Sequence, residues 1–539
     1  MMTITAERTA ADVAVRRPDL DRGLGAAGRW GFVVATGAAI AYVAYSIYAD
    51  ASAAGVQPTT YLPFILLFVS LLIALGFEFV NGFHDTANAV ATVIYTHSLP
   101  AHVAVVWSGV FNFLGVLVSS GAVAYSIISL LPVELILRVG SQAGFAMVFA
   151  LLIAAIVWNL ATWYFGLPSS SSHTLVGSII GVGVANAVLS GHGGTAGVEW
   201  GEAAKVGYSL LLSPILGFAL AAILFKVMRV LVRNEALYRE PSANTPPPAW
   251  IRGLLIFTCT GVSFLHGSND GQKGMGLIML ILIGTVPTAY ALNRAVPESY
   301  MPEFHQRAEA VVSALAPRGP YRVDAAVTAE AALQRYIAQK TLQPDTLPAL
   351  ASLATDIDNE VSRYGSLQAV PAAVTKNVRN AMYLASEAIK RLQADETVSL
   401  TPDETSALSA FKASLDAGTR FIPTWVKVAV AFALGLGTMV GWKRIVVTVG
   451  EKIGKQHLTY GQGASAELVA MATIGLADRF GLPVSTTHVL SSGVAGTMVA
   501  NGTGLQMSTV RNLGAAWLLT LPISMLLSAG LYALFLQLA

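Results

Sequence analysis

The amino-acid sequence predicts an all-α polytopic membrane protein made of two inverted repeats, with broken or re-entrant helices and about ten to twelve transmembrane segments. Hydrophobic residues make up 54% of the chain and charged residues only 12%, about half the charged share of a soluble protein. Two polar motifs also recur in the same order along the chain. Apolar runs near the ~20 residues that cross a bilayer lie at Gly31–Tyr48, Tyr61–Val80, Gly144–Trp163, Ser209–Val230 and Leu513–Leu538.

The N-terminal region, residues 1–60, is predicted to be a tail followed by an extra hydrophobic helix. Met1–Arg29 mixes Arg with Asp and Glu, and no small-residue cleavage site follows Gly31–Tyr48, so we expect a retained helix and not a cleaved signal. The net charge of +2 provides no basic field for nucleic acid, and the single cysteine, Cys259, excludes a disulfide framework.

A polar insertion interrupts the second half of the chain. Residues 293–420 contain 13 Lys and Arg and 15 Asp and Glu in 128 positions, about 22% charged, against about 9% in the rest. Apolar residues recur every three to four positions in Val374–Leu392, so we expect a soluble helical domain on one membrane face. The membrane part then divides into repeat 1 at 61–230, a linker with the start of repeat 2 at 231–292, and the remainder of repeat 2 at 421–539.

The internal repeat rests on two pairs of motifs. Phe165-Gly-Leu-Pro-Ser-Ser-Ser-Ser-His173 returns as Phe480-Gly-Leu-Pro-Val-Ser-Thr-Thr-His488, with six of nine positions identical. Asn81-Gly-Phe-His-Asp85 and His266-Gly-Ser-Asn-Asp270 share Gly and Asp at the same offsets. The Asp and His of the first copy are 88 positions apart; those of the second are 218 apart, or 90 without the 128-residue insertion. Duplication of this kind creates a midplane site between the copies of a transporter.

The Gly-Leu-Pro motif predicts a helix that breaks and restarts within the membrane. Proline cannot continue a preceding helix but suits the first turn of a new one. The restarted helix exposes backbone N–H groups and its positive dipole end, and hydroxyls add donors, which together suit a tetrahedral oxyanion such as phosphate. The alternative is that the hydroxyls only pack between helices. Because both copies keep them, we favour anion binding by Ser169, Ser170, Ser171, Ser172, Ser485, Thr486 and Thr487.

The Asp motifs predict cation or proton coupling. Asp85 and Asp270 lie in or beside apolar segments, where an unpaired charge costs at least ~2.5 kcal/mol. Intramembrane carboxylates bind a cation or titrate, and the amides of Asn81, Asn88 and Asn269 lie near them in sequence. Glu78 also falls in an apolar run, where a supporting role and a carboxylate that reaches the interface are equally favoured.

Lys273 and the histidines leave alternatives open. Lys273 stands three residues after Asp270, where the first copy has Asn88, and we hypothesise that its ammonium replaces a bound cation and shifts coupling towards protons. The alternative is a lysine that extends to the membrane surface. His173 and His488 either titrate near neutral pH or bond backbone groups at the helix break, and we favour the structural role. His84 and His266 beside the carboxylates stay undecided, and no metal ligands are assigned.

These segments together resemble the inorganic phosphate transporter family, the PiT permeases, and especially its bacterial low-affinity metal-phosphate/proton symporters. The likeness runs from about Tyr61 to the C-terminus; the helix before it, Gly31–Tyr48, departs from the family pattern. The segments that carry it are Gly82-Phe-His-Asp-Thr-Ala-Asn-Ala-Val-Ala-Thr92, Gly166-Leu-Pro-Ser-Ser-Ser-Ser-His-Thr174, His266-Gly-Ser-Asn-Asp-Gly-Gln-Lys-Gly274, Gly435-Leu-Gly-Thr-Met-Val-Gly-Trp-Lys443 and Gly481-Leu-Pro-Val-Ser-Thr-Thr-His-Val-Leu-Ser-Ser492.

The resemblance implies a multi-pass protein of a bacterial inner membrane that imports phosphate. It also implies re-entrant hairpins at the Ser/Thr motifs and cation coupling at the Asp motifs. The symporters that it resembles move phosphate as a neutral complex with a divalent metal, together with a proton. We therefore expect no prosthetic group, a co-transported proton (or sodium) with a divalent metal on the phosphate, and membrane lipids as partners; a homo-oligomer is left open.

Other functions are weighed against this one. A sodium-coupled transporter, or one for another tetrahedral oxyanion such as sulfate or arsenate, fits the same donors. A passive channel is less favoured. A membrane hydrolase is disfavoured because the chain has no Gly-x-Ser-x-Gly elbow, and Gly450-Glu-Lys-Ile-Gly-Lys455 has the wrong spacing for a phosphate loop. We expect no enzymatic activity.

Overall fold

The computed structural model describes residues 18–21, 25–54, 62–131, 135–136, 141–191, 193–241, 246–297, 299–319 and 328–538, without the side chains of residues 62, 63, 86–88, 195 and 196. The secondary structure of this part is helical, apart from an isolated bridge between Gly454 and Leu505. The first half contains α1 (Ala26–Ala53), α2 (Leu62–Tyr95), α3 (Ala101–Val118), α4 (Ala122–Ile128), α5 (Gln142–Tyr164), α6 (Ser171–Leu189) and α7 (Trp200–Leu231).

The second half begins, is interrupted by the polar insertion, and resumes. It begins with α8 (Ala249–Thr285) and α9 (Pro287–Tyr290). The insertion contains α10 (Tyr300–Leu315), α11 (Ala329–Gln339), α12 (Thr346–Tyr364), α13 (Ala372–Ala394) and α14 (Pro402–Thr419). The second half resumes with α15 (Thr424–Thr438), α16 (Lys443–Val447), α17 (Tyr460–Arg479), α18 (Thr486–Asn501) and α19 (Met507–Leu538).

Within the described residues, eight helices are long and apolar enough to cross a membrane, or nine if the bent pair α14 and α15 counts as one span. The sequence predicts about ten to twelve. The difference lies in the second half: α17 and α18 occupy the places of α5 and α6 in the repeat, yet neither passes the same test. α17 contains the polar residues Gln462 and Glu467, and α18 has only 16 residues.

The two halves exchange helices. In the repeat, α2 corresponds to α8, α3 to α15, α6 to α18 and α7 to α19. α3 packs on α8 while α15 packs on α2, and α6 packs on α19 while α18 packs on α7. The glycines of the Asp motifs permit this: a Cβ at Gly82 would collide with the carbonyl oxygen of Leu434, and one at Gly267 with that of Asn112. Each half therefore completes the core of the other.

The contacts between α3 and α8 show their relative direction. Ser108 Oγ lies 2.8 Å from Ser263 Oγ, and Asn112 Oδ1, one turn further along, lies 2.7 Å from His266 Nδ1. α3 and α8 therefore run in the same direction. Because α3 turns back along α2 after a short connection, α2 and α8 run in opposite directions, as an inverted repeat requires. Inversion across the membrane stays a prediction.

The insertion packs its own apolar faces and contacts the membrane helices through charges. The helical period of Val374–Leu392 is confirmed, since α13 covers it and buries Met382 and Ile389. At the start of α14, the Arg318 guanidinium bonds the Glu404 carboxylate and lowers its pKa to about 2. Lys390 reaches Glu202 of α7 with 3.0 Å between Nζ and Oε1.

Candidate functional site

The two Ser/Thr motifs form the same break between helices. Gly166 has φ of +66° and Gly481 of +65°, a left-handed conformation that glycine adopts without steric cost. The segments 167–170 and 482–485 then run without helical structure before α6 and α18 begin. Both motifs therefore break and restart a helix, and the place of these breaks within the membrane stays a prediction. The predicted place of proline in the first helical turn is wrong: Pro168 and Pro483 lie in the non-helical segment ahead of the cap, where proline's missing N–H breaks no helical bond.

Equivalent serines cap both restarted helices. Ser170 Oγ accepts a hydrogen bond of 3.1 Å from the backbone N–H of His173, and Ser485 Oγ accepts one of 3.1 Å from the backbone N–H of His488. These caps satisfy one orphan N–H group at each helix start. The identical geometry in both copies shows that the repeat extends from sequence to local structure.

Hydroxyls from both halves converge on Asp85. Ser171 Oγ donates to Asp85 Oδ2 at 2.6 Å, and Thr487 Oγ1 donates to Asp85 Oδ1 at 2.7 Å. The Nδ1 atom of His84 lies 2.9 Å from Asp85 Oδ1. The starts of α6 and α18 therefore meet at one buried carboxylate on α2. The sequence predicts a shared pocket for these segments, and the structure brings them together.

Asp270 has a cation beside it. Lys273 Nζ lies 2.7 Å from Asp270 Oδ2 and donates to Ser172 Oγ at 2.5 Å. Ser171 Oγ and His266 Nε2 each lie 3.5 Å from the same Oδ2. Both side chains of the ion pair are buried, so Lys273 does not extend to the membrane surface. Asp270 is therefore paired with an ammonium, whereas Asp85 contacts hydroxyls and an imidazole.

The remaining hydroxyls of the predicted anion site are engaged in different ways. Ser172 Oγ donates to the carbonyl oxygen of Val484 at 2.7 Å, which ties α6 to the second motif. Ser169 Oγ donates to Thr162 Oγ1 at 2.8 Å. Thr486 Oγ1 is buried without a hydrogen-bond partner among the described residues. The hydroxyls of the two motifs therefore bond mostly to other groups of the protein.

The amides of the Asp motifs do not act alike. Asn269 Nδ2 donates to the carbonyl oxygen of Leu482 at 3.1 Å, and Asn269 Oδ1 accepts from the backbone N–H of Val484 at 3.4 Å, so this side chain holds the second motif in place. Asn81 Nδ2 donates to Glu78 Oε2 at 3.3 Å. The side chain of Asn88 lies outside the described residues.

The rings of the two motif histidines contact each other at a tilt. The ring centroids of His173 and His488 are 4.7 Å apart, and His488 stacks on Trp517 at 4.1 Å. Nδ1 of His173 and Nε2 of His488 have no hydrogen-bond partner in the described part of the chain. The backbone bonds at the helix break come from the N–H groups of these residues and not from these ring atoms. Sequence reasoning did not anticipate the ring-to-ring contact.

Other buried polar residues were missed from the sequence. Glu467 of α17 is fully buried and accepts hydrogen bonds from Thr92 of α2 and Thr258 of α8, which are equivalent helices of the two halves. Gln272, beside Lys273, accepts from the backbone N–H of Val123 at 2.9 Å and so ties α8 to α4. The sequence contains a sign that Glu467 is important, because this carboxylate lies in an apolar stretch as Asp85 does. It contains no such sign for Gln272.

One set of side chains has the geometry for a metal ion. A ligand atom from each of Asp85, His266 and Asp270 lies within 4.8 Å of the others, and all three residues are buried. Asp270 Oδ1 and His266 Nε2 have no hydrogen-bond partner among the described residues. Buried polar atoms without partners are unusual in folded proteins, and these two lie beside each other where a bound ion would complete their coordination.

Comparison with known proteins identifies the family. Residues 81–528 match the phosphate transporter family. The chain belongs to this family. The low-affinity inorganic phosphate transporter PitA of Escherichia coli K12 is 42% identical over 493 residues, covering 88% of this chain and 97% of PitA. PitB of the same strain is 40% identical over 495 residues with the same coverage, and a probable low-affinity inorganic phosphate transporter of Bacillus subtilis is 29% identical over 472, covering 87% and 97%.

A solved structure shares the fold of this phosphate transporter family member. It is described as the sodium-dependent phosphate transporter, with a TM-score of 0.50 and 21% identity, and the match covers 88% of this chain and 99% of that one. The predicted family and the multi-pass membrane architecture are confirmed, as is the assignment to a bacterial inner membrane transporter and not an enzyme. The family match begins at Asn81, so α1 lies outside it.

Proposed function

We propose that this protein is a secondary active importer of inorganic phosphate that binds the anion between the starts of α6 and α18. The observation that carries this proposal is the pair of bonds from Ser171 and Thr487, one from each half, to Asp85. Two helix starts with free N–H groups and hydroxyls then face one place, which suits an anion with several oxygens.

The position of Asp85 supports coupling to a cation. A phosphate that takes hydrogen bonds from Ser171 and Thr487 comes next to the Asp85 carboxylate, and two anions in a water-poor site repel strongly. A cation or proton at the carboxylates relieves this repulsion. Anion binding and cation binding therefore favour each other, which is the thermodynamic requirement for symport.

The donor set supports a divalent metal as part of the substrate. Asp85 and Asp270 provide carboxylates, and His266 provides an imidazole at the position where the first repeat has Asn81. Imidazole with carboxylates suits divalent transition metals better than sodium, which prefers oxygen ligands. We propose that phosphate enters as a complex with such a metal, and that Asp85, His266 and Asp270 contact the metal of this substrate.

Protons are the proposed driving ion. The Lys273 ammonium already neutralises Asp270 at 2.7 Å, so a free sodium ion beside Asp270 would lie next to a fixed positive charge, whereas the metal of the substrate arrives with its charge neutralised by phosphate. The solved structure with the same fold is described as sodium-dependent. At 21% identity, its likeness to this chain concerns the fold alone and does not extend to the coupling ion.

Uptake of radiolabelled phosphate by proteoliposomes tests the proposal. We expect an imposed inward proton gradient to drive accumulation above the external level, divalent metal to stimulate it, and an uncoupler to abolish it. Uptake driven by sodium without a proton gradient would overturn the coupling, and equilibration without accumulation would identify a channel. Competition by sulfate and arsenate establishes whether the site accepts other tetrahedral oxyanions.

A further inference from the structure

Glu78 is a buried carboxyl group that the phosphate and metal contacts do not use. It lies on α2 and is fully buried. Its Oε2 accepts one hydrogen bond of 3.3 Å from the amide of Asn81, and its Oε1 has no hydrogen-bond partner among the described residues. The missing side chain of Gly274 on α8 makes room for this carboxyl, because a Cβ there would collide with it. The backbone of Gly274 also lies close to the carboxyl, so Glu78 is accommodated with fewer hydrogen bonds than a buried ion requires.

The charges that face Glu78 come from α8. Asp270 and Lys273 act on it electrostatically, and Gly274, against which it packs, directly follows Lys273. The Lys273 ammonium donates to Asp270 and to Ser172 at the start of α6. One ammonium therefore stands within the influence of two carboxyl groups and in contact with the proposed phosphate site.

Within the described part of the chain, Asp270 and Lys273 are the charges that act on this carboxyl, and the charged groups of the other helices packed on α2 lie elsewhere. α5 has no charged residue, α3 has only His102, and α15 has only Lys427, whose ammonium donates to the carbonyl oxygen of Ser119. Among the remaining titratable groups, His84 bonds Asp85, His266 bonds Asn112, and Glu467 is bonded by two threonines. Lys443 and Arg444 of α16 contact Asp21 and the carbonyl oxygen of Tyr164.

We propose that Glu78 binds the co-transported proton and that Lys273 couples this proton to phosphate. This inference rests on the proposed function and names the residue that binds and releases the transported proton. The proton comes from the aqueous phase on one side, forms the O–H bond of a neutral Glu78 carboxyl, and returns to water on the other side when that bond breaks. No other reactant is needed.

Competition for the Lys273 ammonium links the two ligands. When Glu78 is neutral, the ammonium stays with Asp270 and Ser172 and adds positive charge where phosphate binds. When Glu78 is ionised, an unpaired carboxylate in a membrane interior demands a counter-charge, and it draws the ammonium away from Ser172. Phosphate then loses an electrostatic partner and leaves. By linkage, protonation of Glu78 strengthens phosphate binding, and phosphate strengthens protonation, by the same factor.

Glu78→Gln tests the proposal because the amide imitates the protonated carboxyl in shape and charge. In proteoliposomes we expect exchange of internal for external radiolabelled phosphate within about twofold of the wild type, while accumulation driven by a proton gradient falls to simple equilibration. Glu467→Gln is the matched control: it removes an equally buried carboxylate that hydroxyls satisfy, and proton-driven accumulation should persist.

A second measurement is independent of transport. Thermal stabilisation of the purified protein by inorganic phosphate, measured over a pH series, should weaken as the pH rises in the wild type and in Glu467→Gln, and should weaken less in Glu78→Gln. Comparison at each pH cancels the titration of phosphate itself. Proton-driven accumulation by Glu78→Gln, or a wild-type pH dependence of its phosphate stabilisation, would overturn the inference. Wild-type protein that neither exchanges nor accumulates phosphate would instead overturn the proposed function.

Discussion

The two copies of the Asp motif occupy equivalent places but hold their carboxylates differently. Asp85 is surrounded by two hydroxyls at 2.6 and 2.7 Å and an imidazole nitrogen at 2.9 Å. Asp270 is paired with an ammonium at 2.7 Å. The surrounding framework is shared, since each motif glycine packs on a backbone carbonyl of the other half. Duplication has therefore supplied the scaffold, and the difference between the copies supplies the chemistry.

This contrast assigns different tasks to symmetric positions. Equivalent positions that keep the same residue type, such as Ser170 and Ser485, serve the helix breaks. Positions that diverge, such as Asn88 and Lys273, bring an ammonium into the second copy alone, whereas each copy has an imidazole at a different position, His84 in the first and His266 in the second. Because one ammonium already lies near the two aspartates, the site favours one bound cation beside the anion over two equivalent cation sites.

The largest expected effect comes from removing this difference. Lys273→Asn makes the second copy resemble the first and leaves Asp270 buried without its ammonium. Truncating one partner of a buried charge pair costs about 2–5 kcal/mol, so we expect phosphate affinity to weaken by about 30-fold to several thousand-fold. We also expect proton-driven accumulation to disappear and stimulation by sodium to appear, because a sodium ion then neutralises Asp270. Uptake with imposed sodium and proton gradients measures both changes.

Lys427→Asn is the control for that experiment. It removes a half-buried lysine from α15 that donates to the backbone of Ser119 and has no carboxylate among its hydrogen-bond acceptors. Its ion dependence should match that of the wild type. If Lys273→Asn keeps wild-type affinity and ion dependence, the ammonium does not distinguish the two copies.

A smaller effect is expected from the hydroxyls that both copies contribute to Asp85. Ser171→Ala and Thr487→Ala each remove one hydrogen bond to an ionised group, worth about 1.5–3 kcal/mol, so each should weaken phosphate affinity about 10- to 100-fold. The double variant should weaken phosphate affinity by less than the product of the two single-variant factors, since both hydroxyls donate to the same carboxylate and the same anion. Binding isotherms on purified protein measure the three values.

Ser178→Ala provides the matched control for the hydroxyl variants. Ser178 lies on α6, two turns beyond Ser171, and its hydroxyl is buried without a hydrogen-bond partner among the described residues. Its removal should leave phosphate affinity within about twofold of the wild type. A Ser171→Ala variant as mild as this control would contradict the shared-pocket interpretation.

The sequence predicts the site through features that repeat and misses features that do not. The helix breaks at Gly166 and Gly481 follow from local chemistry, since Gly and Pro restrict what the backbone can do. The convergence of Ser171 and Thr487 follows from duplication. The contact of Lys273 with Ser172 depends instead on how α8 packs on α6, which no local pattern encodes.

The membrane count shows a similar limit. Hydropathy detects α5, α6, α7 and α19 readily. It fails for α17, whose polar side chains Gln462 and Glu467 face the protein interior, where the backbone and side chain of Thr459 and two threonine hydroxyls satisfy them. Hydropathy measures the sum over a segment, whereas the bilayer contacts only the outward face. A helix enclosed by other helices can therefore be polar enough to escape the test.

The smallest expected effect compares the two helix breaks. Gly166→Ala and Gly481→Ala force a residue with a Cβ into a left-handed conformation, which costs about 1–2 kcal/mol in each copy. Gly481→Ala should cost more, because its Cβ would lie 3.2 Å from the Cβ of Ala122, whereas the nearest atom at Gly166 is 3.5 Å away. The midpoint temperature of thermal unfolding in detergent, followed by tryptophan fluorescence, should therefore decrease from the wild type to Gly166→Ala and again to Gly481→Ala. Gly514→Ala on α19 introduces a Cβ with no atom within 4 Å and should not lower the midpoint, since alanine favours a helix. Equal midpoints for all four proteins would mean that neither break depends on its glycine, and the structural equivalence of the two copies would then rest on the hydroxyls and caps alone.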